Sequence, residues 1–508
     1  MNTLFSFIKK NRTEFFVLLG IILLALVLRL YRIDEYMTFL GDEGRDVRIV
    51  RDLITTGNLV FIGPQTSVGN MYLGPLYYYM MAPALFLSGL NPVGPAIMNA
   101  LLGAATIFLT YFIGRRWFGK SVGLIAAILF AISPVAIIYS RSSWNPNPMP
   151  FFSLLCVWGI YEVWKNNKHS WLPLVGIFFA FALQMHYLGL LLIPTLGLFW
   201  LLTLRQLKNE KKQKTIFVKK TLIAICLFLI LMSPLLLFDL KHDWMNFKAF
   251  QSFFSDRQTT INLNPARSDR FLPAIESIIS ELLLGRQLTY ATLAAVIIGV
   301  LTFLAYFGKT KLSLKEFFKT KKDPAVSALL AWIGFGILGL GVYKQHIYAH
   351  YFGFLFPAVY LLVAFLLLFL WNNKNILIKF LALTFFACLL YHGVYYSPLK
   401  DSPNRQMKRT EAAVDLMIKE SKGQPFNFGL IAKQNYDESY RFYLENKKAN
   451  HFRGEERVTG QLFVICEDGD KCQPEGNPAY QIAIFGPSHI DQQWQVDYLK
   501  IYRLIHSI

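Results

Sequence analysis

The stretch FLGDEGRDVRIV, residues 39–50, sets the carboxylates of Asp42, Glu43 and Asp46 beside the guanidiniums of Arg45 and Arg48. A carboxylate can take a proton from a hydroxyl, and a guanidinium grips phosphate oxygens bidentately. Asp42, Glu43 and Arg45 thus put a proton acceptor and an anion clamp in one short segment. The same residues also read as a plain surface helix. Asp42 is then its N-cap, Glu43 sits in its first turn, and Arg48 pairs with Asp52 one turn on. Val47, Val50 and Ile54 form an apolar stripe expected to rest on a membrane surface. The two readings are compatible, because a rigid helix start holds a carboxylate well.

Other segments carry polar chemistry more thinly. In YKQHIYAHY, residues 343–351, Lys344 could reach a phosphate, and simple snorkelling explains it equally well. His346 and His350, four apart beside Tyr351, make half of a metal site, but no third ligand is evident and a divalent metal has no clear ligand set. In YSRSSWNPNP, residues 139–148, Arg141, Trp144 and Asn145 line a second loop. Trp144 suits stacking on a sugar face, although interfacial tryptophan is the commoner reading. His186 in LQMHYLG marks a hairpin tip and reads as structural. No P-loop, strand-borne GxGxxG or HExxH is present, so no nucleotide site is expected.

The elements that must position these residues are membrane spans. The 508 residues are 54% apolar and only 16% charged, where a soluble chain carries about 25% charged. Eleven stretches suit a span of roughly 20 residues. They are 14–32, 94–114, 119–139, 148–165, 171–204 (split into two near Gln184 and His186), 217–239, 288–307, 325–343, 351–371 and 375–397. Lys9, Lys10 and Arg12 read as the positive flank of a signal anchor.

Counting from a cytoplasmic amino end, the segments 1–14, 115–120, 165–168, 205–220, 308–323 and 372–379 face inward. They hold 23 Lys and Arg against four acids, which accounts for the whole formal charge of +19. The excess charge is a topology signal, not a nucleic-acid footprint. GPLYYYMMAPALFLSGL, residues 74–90, is apolar but short; if it crossed, KNEKKQKTIFVKK would face outward, so it reads as re-entrant or interfacial.

The expected organisation is therefore a mainly α polytopic bundle over 1–397, with an outer loop at 34–93 carrying the acidic motif. A small extracytoplasmic α/β domain follows over 398–508. In that tail RTEAAVDLMIKES and DESYRFYLENKK read as helices; FNFGLIA, QLFVICE and YQIAIFG read as strands. Cys466 and Cys472 lie on the oxidising side and can pair; Cys156, Cys226 and Cys388 fall inside apolar runs.

Outside the cell no nucleotide pool exists, so an activated group must arrive on a lipid carrier, commonly as a sugar on a polyprenyl phosphate. That leaving group departs unprotonated. Such an enzyme needs one carboxylate base and cations on the phosphate. The sequence resembles the GT-C class of polytopic glycosyltransferases, in its protein mannosyltransferase and lipid A aminoarabinose transferase branch. The resemblance rests on Asp42-Glu43 after the first span, on GPLYYY (74–79), on IFLTYFIGRRWFGKSVGLIAAILFAISPVAIIYSR (107–141) and on HYFGFLFPAVYLL (350–362). It implies transfer of a sugar from a polyprenyl-phosphate donor to a lipid, glycan or protein hydroxyl at the outer face of the cytoplasmic membrane. It also implies Asp42 as the catalytic carboxylate, supported by Glu43, with Arg45 on the phosphate. Where the aminoarabinose transferases have a lysine before the proline, this chain has Gly74. A transporter or flippase of a lipid-linked sugar is the rival reading, as is a polymerase or ligase of lipid-linked glycans. Charge inside the spans is sparse, which favours surface chemistry over transport.

Overall fold

The structure, a computed structural model, describes residues 10–66, 71–255, 270–307, 323–343, 346–467 and 472–507. Lys344 lies outside the described residues, as does 308–322 of one expected inner segment.

Seven described helices are long and apolar enough to cross a bilayer: Arg12–Leu30, Val93–Phe118, Tyr187–Asn209, Lys211–Lys241, Pro324–Gly341, Ala349–Trp371 and Ile376–Tyr395. Shorter apolar helices accompany them at Leu76–Leu87, Lys120–Ile132, His169–Met185 and Ala291–Tyr306. Each stretch expected as a span is helical. The long stretch from 171 divides at His186, which is extended (φ −163°, ψ 138°) and accepts the Leu188 N–H at 3.1 Å on Nδ1.

One helix is broken for a local reason. Pro134 lacks an N–H, so the run Lys120–Ile132 stops at extended Ser133 and resumes as Pro134–Tyr139. Carbonyls freed by the break are met from the first helix: Arg29, fully buried, donates from Nη1 to Ala131 at 3.0 Å. In return Arg141 donates to Leu28 O at 2.7 Å and Tyr31 O at 2.6 Å, closing the carboxyl end of that first helix. Polar groups buried in apolar surroundings require such partners.

After Tyr395 the texture changes. Helices Gln406–Glu420 and Glu438–Asn446 flank a sheet of β1 (Phe426–Ile431), β2 (His451–Phe452), β3 (Gln461–Cys466), β4 (Ser488–Val496) and β5 (Leu499–His506). The order is β2-β1-β3-β5-β4, parallel on the β1 side and antiparallel through β5 and β4. Cys466, at the end of β3, is joined to Cys472 with Cα atoms 6.0 Å apart.

One sequence expectation about the tail is corrected here. YQIAIFG is a helix, Tyr480–Phe485, not a strand: Ile482 and Phe485, three apart, are the buried pair, and strand alternation would expose one of them. The strands that complete the sheet are instead β4 and β5. In the long loop before 288, helices Met245–Ser255 and Phe271–Leu283 are additional elements, the latter burying Ala274, Ile278 and Leu282.

Candidate active site

The acidic motif opens the helix Gly41–Thr56, here called the motif helix. Its N-cap is Leu40, not Asp42 as expected, so Asp42 lies within the first turn. The reason is Glu43, whose carboxylate reaches back to accept the Leu40 N–H at 3.0 Å, the returning half of a capping box. Gly57, at φ 74°, ends the helix. The apolar stripe also departs from expectation. Val47 and Val50 are fully buried within the protein core instead of resting on lipid. Arg48 pairs not with Asp52 but with Glu438 at 2.7 Å and Glu445 at 3.2 Å, while Asp52 takes Arg51 at 2.7 Å.

Around the first turn the charges interlock. Arg45 Nη1 donates to Asp42 Oδ1 at 2.9 Å, and Arg45 Nε and Nη2 donate to Asp46 Oδ1 at 2.9 and 2.7 Å. The Asp42 side chain is 40% exposed, that of Arg45 20%, and that of Asp46 is fully buried. Asp46 Oδ1 also accepts the Tyr78 hydroxyl at 3.1 Å, while no described donor reaches its Oδ2. Burial pushes the Asp46 carboxyl up to about 6, against the pull of Arg45, and pushes Glu43 up to about 7. Burial opposes the Arg45 charge, but Asp46, Tyr78, Tyr436 and Asp42 around it outweigh that and raise its pKa. Arg45 is a fixed cation. Asp42 is the accessible carboxylate.

The short helix Leu76–Leu87 places adjacent tyrosines on two sides of this site. Tyr78 bonds Asp46, and the Tyr77 hydroxyl lies 3.0 Å from Ser143 Oγ and accepts from Asn99 at 3.2 Å. Ahead of this helix, Gly74 abuts Gln184: a Cβ there would lie 2.7 Å from Gln184 Cγ. Gln184 is itself fixed by the Leu76 N–H at 3.2 Å and by Leu231 O at 2.9 Å. A lysine at this position would have to displace that side chain, which is the physical counterpart of the departure at Gly74.

A second cluster gathers other residues singled out from sequence. Trp144 stacks obliquely on His350 with ring centres 4.4 Å apart, and His186 lies 5.0 Å from Tyr351 and 5.8 Å from His350. His346 packs on Tyr348 at 4.5 Å. Among the described residues, no group of three or more His, Cys, Asp or Glu could hold a metal ion. Arg141 and Asn145 belong to neither cluster's open face. Both close helix ends, Asn145 by donating to Met185 O at 2.7 Å.

Sequence reasoning missed the residues that the tail brings in. Tyr436 donates its hydroxyl to Asp42 Oδ1 at 2.6 Å and receives Arg45 Nη1 at 3.0 Å. Asn435 Oδ1 accepts the Gly41 N–H at 2.8 Å. The charges of Glu438 and Glu445 facing Arg48 and Arg51 were the one available signal.

The fold is shared with two solved structures of GT-C glycosyltransferases, the class that the sequence resembles. ArnT from Cupriavidus metallidurans, bound to undecaprenyl phosphate, aligns with a TM-score of 0.59 over 96% of this chain and 97% of its own, at 13% identity. The archaeal oligosaccharyltransferase AglB from Archaeoglobus fulgidus, in complex with an inhibitory peptide and a dolichol-phosphate, aligns at 0.54 over 90% of this chain and 70% of its own, also at 13% identity. At such identity the likeness is one of fold.

In sequence, residues 73–238 match the family model for dolichyl-phosphate-mannose-protein mannosyltransferase. The Bacillus subtilis (strain 168) protein YkcB, named as a mannosyltransferase, is 24% identical over 30% of this chain and 22% of its own length. An uncharacterized Aquifex aeolicus (strain VF5) protein is 26% identical over 30% of this chain and 31% of its own. The chain thus spans less than a third of these relatives.

Proposed function

We propose that this chain is a membrane glycosyltransferase that moves a sugar from a polyprenyl-phosphate donor to an acceptor hydroxyl on the extracytoplasmic face. The observation that carries the reading is the Asp42–Arg45 contact of 2.9 Å at an accessible helix start. Asp42 takes the acceptor O–H proton. The acceptor oxygen bonds the anomeric carbon, the carbon–oxygen bond to phosphate breaks, and the lipid phosphate leaves with that electron pair. Arg45 offsets the charge gathering on it, and the positive end of the motif helix adds to this. Glu43, buried and holding Leu40, positions the turn. Trp144, His350 and His186 offer an aromatic wall suited to a sugar face.

The location of buried charge supports an enzyme over a transporter. Glu14 is taken up by Arg115 at 2.7 Å and Glu162 by Lys168 at 2.8 Å, while Asp239 caps Asn246 and Phe247. Each has a structural partner, and none of these contacts forms a proton path between the two ends of the bundle.

The deciding experiment incubates the purified protein with a polyprenyl-phosphate mannose and a panel of acceptor alcohols and follows loss of donor. Asp42→Asn, at matched insertion, is expected to slow that loss by roughly 10²–10⁴-fold, the usual contribution of a positioned base. Undiminished turnover by Asp42→Asn would remove the assignment.

A further inference from the structure

The reading of Asp42 as a base leaves open where the acceptor oxygen sits. That oxygen must lie within hydrogen-bond reach of the carboxylate and close to the cation holding the phosphate. In this structure one oxygen already satisfies both conditions. The Tyr436 phenol donates to Asp42 Oδ1 at 2.6 Å, and Arg45 Nη1 donates to the same phenol oxygen at 3.0 Å.

We propose that the Tyr436 phenol occupies the acceptor-hydroxyl subsite, and that an incoming alcohol reaches Asp42 by displacing the 432–437 loop. The proposal rests on Asp42 being the base. It adds a location for the acceptor, at the seam between the motif helix and the tail, and a reason for the tail to be there.

Three features of the seam fit a removable cover. Tyr436 is 40% exposed, and the residues from 432 to 437 form neither helix nor strand. The ring lies flat over Gly41, where an added Cβ would sit 2.5 Å from Cδ1 and 2.6 Å from Cε1. This approach therefore depends on glycine. The loop is tethered through Asn435, which accepts from Gly41 N at 2.8 Å and donates to Glu467 at 2.8 Å. Glu467 follows the disulfide-bonded Cys466, so the tether ends on a stiff part of the tail.

A phenol on the base also excludes water. A lipid-linked sugar is then safe from hydrolysis until an alcohol of the right shape replaces the tyrosine. Selection of the acceptor becomes a competition between two hydroxyls for one carboxylate oxygen.

Tyr436→Phe removes only the competing hydroxyl and keeps the ring on Gly41. With water as the sole acceptor, this variant should hydrolyse a polyprenyl-phosphate mannose roughly ten-fold faster than wild type, the change expected when one hydrogen bond to a charged group is lost. Carbodiimide coupling to Asp42, read by peptide mass analysis without donor, should accelerate in parallel. Donor loss that needs Asp42 but stays equal or slows in Tyr436→Phe overturns the subsite alone. Unchanged Asp42 labelling overturns it as well. No donor loss in Tyr436→Phe, together with no transfer by wild type to any of a panel of added sugar, lipid and peptide alcohols, overturns the transfer reading, and the subsite with it.

Discussion

Gly44 of the motif helix and Ser439 of the tail meet backbone to backbone, so that a Cβ on Gly44 would collide with the Ser439 Cα and N. In an isolated helix Gly→Ala is favourable by about 1 kcal/mol. Here the neighbour is backbone and cannot swing aside, and overpacking of this kind costs ~1–3 kcal/mol. Gly44→Ala is therefore expected to lower the unfolding temperature and to expose the tail to protease. An unchanged or raised unfolding temperature would show that the two helices are not held at this distance.

Glu43 makes stability depend on pH. Its folded pKa, raised by burial from 4.5 to about 7, favours the protonated form. A carboxyl shifted upward contributes stability that is full below its unfolded value and is lost as pH rises through its folded value. The window is therefore from about 4.5 through about 7. Glu43→Gln fixes a neutral side chain that can still accept the Leu40 N–H. Thermal unfolding between pH 5 and pH 8 should fall more steeply for wild type than for Glu43→Gln. Parallel curves would mean that Glu43 stays ionised throughout.

Arg45 and Asp46 should behave as a unit in folding and as separate groups in binding. Arg45→Ala leaves Asp46 buried with only the Tyr78 hydroxyl, and breaking a buried pair costs ~3–5 kcal/mol. Adding Asp46→Asn removes the stranded charge and should recover much of the loss. Stabilisation by added polyprenyl phosphate should remain absent in the double variant, because the phosphate cation is gone. A ligand-induced rise equal to wild type would reject Arg45 as the phosphate contact.

Sidedness is open to direct labelling. In a background lacking Cys156, Cys226 and Cys388, single cysteines at Lys212 and Gly460 should react with an impermeant maleimide from opposite faces of the membrane. Reaction from one face would shift the topology by one crossing.

The helical bundle was legible because a bilayer demands apolar runs of fixed length, and runs such as 351–371 announce themselves. Where no such demand acts, local pattern was ambiguous. YQIAIFG suits strand and helix alike over so few residues, and only the burial of Ile482 with Phe485 decides between them. Asp42, Glu43 and Arg45 stood out in the sequence as one charged cluster, since acids beside an arginine are unusual after an apolar run. Their hydrogen bonds were not. Leu40 took the cap because Glu43 could reach back, and Tyr436 arrives from 394 positions away along the chain. Arg141 and Asn145 looked available in a polar loop. Their donors turned out to close helices whose carbonyls no sequence pattern points to them.

The exchange of arginines between the first helix and the broken one sets a height. Arg29 reaches the Ala131 carbonyl, and Arg141 reaches those of Leu28 and Tyr31, so the two helices clasp each other from opposite directions. Sliding the first helix by a single turn, about 5.4 Å, would tear both grips at once. The acidic motif starts only a few residues beyond Tyr31. The clasp therefore works as a depth stop: it fixes how far along the bundle the first helix can travel past the broken one, and with it the level at which the Asp42 carboxylate stands relative to Pro134.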